Sequence, residues 1–334
     1  MKKVLNGFLA IAIFAFVLVG LVQAANHPIT NVSVISAPFG TGSYVLSTAL
    51  EDISKKFHPW LRITASETPG LVFNTKKLNK EPHLKKSMFM SYTVGINWLA
   101  QSGRKPFKKE YPSAMLLANY NLGSVWLASL NPKIKTREDL VGKKIAIGRG
   151  TQILWAIEPE WVIRYGWGLR DKIKIQYVGT KPAMTALMDG LVDAGIVGGY
   201  ADPIKGTLTA SPQTLELLAS GKTLYHIPWG EEAVRKVIDK GIPIAPVTLP
   251  AKAIPGLKHP LPVFCDPIAW CVYPEFPEDI AYEITKLIIN YVTKFKDYHA
   301  LGKLMTTQSL PFGWDPERIH PGALKAYKEA GVLK

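Results

Sequence analysis

Each half of this chain carries the same local order: a short β-branched run, a glycine turn, then apolar residues at helical spacing. In the first half, residues 31–36 (NVSVIS) read as a strand. Phe39-Gly40-Thr41-Gly42-Ser43 is the turn, with Ser43 as helix N-cap, and Leu46, Ala49, Leu50, Ile53 and Phe57 lie on one helix face. Residues 60–65 follow as the next strand. In the second half, residues 140–144 (LVGKK) lead into a strand at 145–147, the turn Gly148-Arg149-Gly150-Thr151, a helix, and another strand at 173–178. Strand–helix–strand succession builds a parallel sheet, so an α/β fold is expected.

The remaining stretches fit around these units. Residues 111–130 are apolar and extended, suited to crossing between lobes. A helix opens at Thr180, carries Met184, Leu187, Met188 and Leu191 on one face, and stops near Gly190. Residues 194–197 read as a short strand running into Gly198-Gly199-Tyr200. Residues 211–267 are proline-rich and read as irregular. A strand at 268–273 and an amphipathic helix at 278–298 complete the pattern.

At the N-terminus, Lys2 and Lys3 precede an almost wholly apolar stretch, residues 4–22, and Val22-Gln23-Ala24 offers the small-x-small pattern of a signal-peptidase site. Cleavage after Ala24 is expected, with an uncleaved anchor as the alternative, and no cysteine is placed for lipid attachment. The mature chain would be free in a periplasm-like space and long enough for two domains. Cys265 and Cys271 are the only cysteines; they read as two buried thiols, or as a disulfide closed across a bend at Asp266-Pro267.

The formal charge is +14, two less without Lys2 and Lys3. Nucleic acid is excluded by the compartment and by lysine pairs scattered along the chain; steering of an acidic solute is compatible with the charge. A glycine turn at a helix N-terminus presents free N–H groups and the positive end of the helix dipole, which suits a carboxylate or phosphate. Two such turns facing across a cleft would clamp an anion from both sides. Competing signatures fail. Gly148-Arg149-Gly150 lacks the third dinucleotide glycine, whose place Ile153 takes, and no phosphate loop, nucleophile elbow, metal cluster or paired-carboxylate motif is present. No cofactor, metal or catalytic residue is expected, and the chain does not read as an enzyme.

Several stretches carry a family resemblance. Residues 40–50 (GTGSYVLSTAL), 140–151 (LVGKKIAIGRGT), 276–285 (FPEDIAYEIT) and 319–331 (IHPGALKAYKEAG) resemble, in order, segments of the TAXI receptors, the solute-binding proteins of TRAP (tripartite ATP-independent periplasmic) transporters; residues 68–74 resemble a further one. The resemblance implies a type II periplasmic-binding-protein fold: two α/β lobes joined by a hinge, with ligand in the cleft. It divides the chain into residues 25–120 plus 245–334 and residues 121–244. It further implies capture of an amino acid or other carboxylate and delivery to a TRAP-type membrane permease; a monomer is the expected state.

On this reading Gly40, Thr41, Gly42, Ser43 and Tyr44 hold the ligand from the first lobe, with Thr68 and Asn74 nearby. Gly148, Arg149, Gly150 and Thr151 close from the second, with Tyr200 at the mouth. Departures bear on the ligand: Arg149 stands where the family has serine, and Pro69 and Leu71 make a less polar face. Tyr44, Trp155 and Tyr200 either stack on a ligand or belong to the core. The rival readings are a receptor for an ATP-driven importer or a sensor kinase, and an enzyme on a similar scaffold.

Overall fold

The computed structural model describes residues 28–39 and 41–334; the expected leader with its cleavage point, and Gly40 of the first turn, lie outside the described residues. The chain runs β1 (Thr30–Ile35), α1 (Gly42–Phe57), β2 (Leu61–Ser66), α2 (Leu71–Lys80), β3 (Met88–Thr93) and α3 (Val94–Gln101). β4 (Met115–Ser129) then leads to β5 (Lys144–Ile147), α4 (Glu158–Trp161), β6 (Lys174–Tyr177), α5 (Thr180–Met188), β7 (Ala194–Asp202) and β8 (Thr207–Ala210). The rest is α6 (Pro212–Ala219), β9 (Tyr225–Ile227), α7 (Glu231–Ile238), β10 (Ala245–Leu249), β11 (Leu261–Val272), α8 (Glu278–Tyr291) and α9 (Pro321–Glu329).

The main path of the sheet runs β2-β1-β3-β11-β4-β7-β5-β6. β1 pairs in parallel with β2 and β3, and β5 in parallel with β6 and β7. Between these two parallel sets lie β4 and β11, long and antiparallel to one another. Both are buried almost throughout, β4 from Leu116 to Ser129, so neither shows the alternation of a half-exposed strand, and polar residues are buried with the apolar ones: Asn119, Asn121 and Ser124 in β4, Asp266 in β11. Their tryptophans pack inward with each indole N–H satisfied: Trp270 donates to Ser47 Oγ (3.0 Å) and Trp126 to His226 Nδ1 (2.9 Å).

Several expectations need correction. Thr41, not Ser43, caps α1: its Oγ1 accepts from the Tyr44 N–H and its backbone is extended. β7 does not stop at Val197 but runs through both glycines, because a side chain on Gly198 or Gly199 would strike the backbone of β4 or β8. The proline-rich region is ordered: α6, β9, α7 and β10 all lie within residues 211–267, each too short for its periodicity to stand out between turns. The helix from Glu278 ends at Tyr291 and continues as a tighter 3₁₀ segment, Val292–Asp297. Cys265 and Cys271 are free, buried and on one strand; six residues of extended chain separate them by about 20 Å, beyond any disulfide.

Candidate ligand-binding cleft

The carboxyl ends of β1, β2 and β3 each feed a helix, and α1, α2 and α3 aim their N-termini at one cavity of about 530 Å³. In a parallel sheet this is where free N–H groups and positive dipole ends gather. From the first parallel set the cavity takes Ala37, Pro38, Thr41 and Ser43, the first turn of α2 (Pro69 to Phe73), and Thr93 and Ile96 of α3. Thr151 to Trp155 and Tyr200 face them from the second set. Asp266 and Ile268 of β11 form the floor.

The three N-termini are not equivalent. Thr41 Oγ1 caps α1, and Thr93 Oγ1 caps α3 by accepting from the Ile96 N–H at 3.1 Å. Neither helix start is left open. α2 has no side-chain cap: Gly70 precedes it with φ of 124°, a backbone region that favours glycine, and its first turn faces the cavity. Apart from Asp266 and Tyr200, no lining side chain among the described residues is ionisable in the ordinary sense, and none is cationic. Leu71, Val72, Phe73, Ile153, Leu154 and Trp155 make most of the wall apolar.

Of the residues singled out from sequence, Thr41, Ser43, Pro69, Leu71, Thr151, Trp155 and Tyr200 line the cavity. Ser43 Oγ also accepts from the Tyr120 hydroxyl at 2.9 Å, which fixes it. Burial pushes the Tyr200 hydroxyl above its ordinary range. Tyr44 leans on Phe39 at the rim, ring centroids 5.4 Å apart. Gly42 is small for packing, since a methyl there would stand 2.6 Å from Leu301 Cδ1.

Thr68 and Asn74 serve the cleft from behind. Thr68 donates to the Ser36 carbonyl (2.9 Å) and accepts from the Gly70 N–H (3.2 Å), so it shapes the entry to α2. Asn74 Nδ2 donates to the carbonyls of Ile35 (3.2 Å), Ser36 (2.7 Å) and Ser91 (3.2 Å), tying α2 to the ends of β1 and β3.

The second turn is more closed than its sequence implies. The Gly148 N–H donates to the Trp155 carbonyl (2.8 Å) and the Arg149 N–H to Gln152 Oε1 (2.7 Å). Both donors are therefore spent within the chain. A methyl on Gly148 would stand 2.7 Å from Trp155 Cβ, which explains that glycine by packing. The exposed Arg149 side chain runs past Gly179 outside the cavity, and Gly150 lies toward Tyr177. The turn leads not into an α-helix but into a π-helical segment, Ile153–Ile157, that joins α4.

Sequence reasoning placed Pro69 and Leu71 on the ligand face but missed the open start of α2 as an anion site, and it missed Thr93 and Asp266 altogether. The Gly70 signal was legible; Asp266 was not, because nothing local marks a carboxylate in an apolar strand as facing a cleft. Asp266 is fully buried, which pushes its carboxyl up to about 7 against the opposing pull of the Thr93 hydroxyl, Glu158 and the Gly95 and Val94 N–H groups. Glu158 of α4 lies against it, also fully buried, and burial with the neighbouring Asp266 charge raises it well above the carboxylate range.

Two parallel βα sets bridged by long antiparallel strands, with helix N-termini converging on a cleft between them, define the periplasmic-binding-protein fold. A TctC solute-binding protein from Polaromonas shares it, with 13% sequence identity, TM-score 0.52, and 92% of this chain and 100% of that one covered. So does PhnD1 from Prochlorococcus marinus, solved in complex with methylphosphonate, with 10% identity, TM-score 0.50, and 91% and 99% covered. Within that fold the chain belongs to the NMT1-like family, whose model matches residues 34–331.

Proposed function

We propose that this chain is a periplasmic solute receptor that captures a small organic acid with an apolar portion. The observation that carries the reading is the uncapped start of α2, facing a cavity of about 530 Å³ whose walls are mostly apolar. Backbone N–H groups and the helix dipole would hold the carboxylate, with the Thr41, Ser43 and Thr151 hydroxyls around it. The apolar portion would lie against Leu71, Phe73, Ile153 and Trp155. Tyr44, Gly148, Arg149 and Gly150 would border this site, while Thr68 and Asn74 hold its shape. Support for solute capture also comes from the fold shared with TctC and PhnD1.

The lobes would be residues 25–120 with 245–334, and residues 121–244, joined where β4 and β11 pass between the parallel sets. Export with cleavage after Ala24, action as a monomer, and delivery to a TRAP-type permease complete the reading. That partner is supported by residues 40–50 and 140–151, which resemble TAXI receptors. The chain has no proposed catalytic role.

A thermal-shift screen of refolded protein against carboxylates, keto acids, amino acids, sulfonates and phosphonates tests the proposal. At a hundredfold excess over its dissociation constant the solute stabilises by about 2.7 kcal/mol. A shift with neutral or cationic solutes alone defeats the anion reading.

A further inference from the structure

At the cleft floor two buried carboxylic acids meet, and no cation among the described residues bonds either of them. Glu158 comes from α4, beyond the Thr151–Trp155 wall; Asp266 comes from β11, beside the start of α3. None of their four oxygens closes a hydrogen bond with a donor among the described residues. The Thr93 hydroxyl and the Val94 and Gly95 N–H groups are near enough to favour charge on Asp266, and the positive end of α3 adds to that. This environment accommodates one negative charge, not two in contact.

The surroundings supply nothing more. On β11 the neighbouring titratable group is the Cys265 thiol, itself pushed up by burial and by these two acids. α3 contributes the Thr93 hydroxyl and N–H groups. β4 presents Gly123 opposite Asp266, and the π-helical segment presents Ile153 and Leu154. No lysine, arginine or histidine among the described residues bonds either carboxyl.

The location gives the pair a task. Glu158 Oε1 and Ile153 rest on Gly95, and Leu154 rests on Gly123, so two bare glycines form the seat of the segment that walls the cleft. We propose that Glu158 and Asp266 form a proton-binding site that holds the Thr151–Trp155 wall against the cleft floor. With one proton bound, a single O–H···O bond joins the two acids across the seat. When the proton leaves to solvent, two carboxylates face each other and push the wall away. Taken with the solute-receptor reading, on which this last step rests, capture takes up one proton and release returns it.

Small-angle scattering of the solute-free protein at pH 5.5 and 8.5 tests the site directly. The radius of gyration is expected to rise at the higher pH. In Glu158→Gln, whose amide donates to an ionised Asp266, it should keep its low-pH value throughout. Asp266→Asn should behave alike, which keeps the test open should one variant fold poorly. An unchanged wild-type radius overturns the proposal, and so does an equal rise in both variants. With a solute from the thermal-shift screen, affinity should fall about tenfold per pH unit once the proton is lost, and less than twofold in Glu158→Gln. The scattering arm uses no solute, so a failed solute screen leaves it standing.

Discussion

Gly95 and Glu158 are shaped to one another: a methyl group on Gly95 would stand 2.5 Å from Glu158 Oε1 and 2.9 Å from Ile153 Cγ1. Gly95 sits in the first turn of α3 with an ordinary helical backbone, so space, not conformation, demands the glycine. Gly95→Ala would normally gain about 1 kcal/mol of helix propensity. Here both neighbours are buried and overpacking costs about 1–3 kcal/mol. The expected result is net destabilisation of about 1–2 kcal/mol in urea unfolding, and a gain in stability would contradict the contact.

Asn74 joins three backbone carbonyls from two strands to α2. Asn74→Ala leaves these buried acceptors without the amide, and lost hydrogen bonds of this kind cost about 1–3 kcal/mol where the partner stays buried. We expect a loss of about 2–4 kcal/mol, read as a lower urea midpoint with unchanged slope. A loss below about 0.5 kcal/mol would mean that α2 is held by packing alone.

Stability should depend on pH in two opposed ways. Asp266 is raised to about 7 from an ordinary value of 3.8, so between those values the folded chain holds a proton that the unfolded chain has lost, and stability falls as pH rises. His226 is lowered to about 4 from 6.5 by burial, so in that interval the unfolded chain holds the extra proton and stability rises with pH. Above pH 6.5 the histidine contribution is complete, and Glu158, raised well above 4.5, adds to the decline. Melting temperatures from pH 6.5 to 8.5 should therefore fall in the wild type; a flat or rising curve would mean the acids are not in contact.

Leu71 is half-buried at the open start of α2. Leu71→Asp places a carboxylate at a helix N-terminus, which is neutral or favourable for folding. It also competes for the same N–H groups as an acidic solute, so affinity in calorimetry should drop at least a hundredfold. Arg149→Ala should change it less than about threefold, since its side chain runs outside the cavity. The reverse ranking would move the anion site to the second turn.

Much of this was readable along the chain. The helix face of Leu46, Ala49, Leu50 and Ile53 is buried as its spacing requires, and the strands at β1, β2, β5 and β6 fall within a residue or so of where β-branched runs placed them. These features obey local rules, helical period and strand length, that neighbours in space do not alter. The order of strands and helices likewise carried the α/β class.

What the tertiary structure alone decided is which groups face the cleft. Gly42, Gly95, Gly123, Gly198 and Gly199 look alike in sequence, yet each is small because an atom far along the chain occupies the space of its missing side chain. The second turn has the composition of an anion loop but turns its first donors inward, because Gln152 and the Trp155 carbonyl arrive within reach. Glu158 and Asp266 lie far apart along the chain, one on a four-residue helix and one inside an apolar strand. Only the packing of α4 onto α3 and β11 places two acids where water cannot reach them, and burial together is what gives them a proton to share.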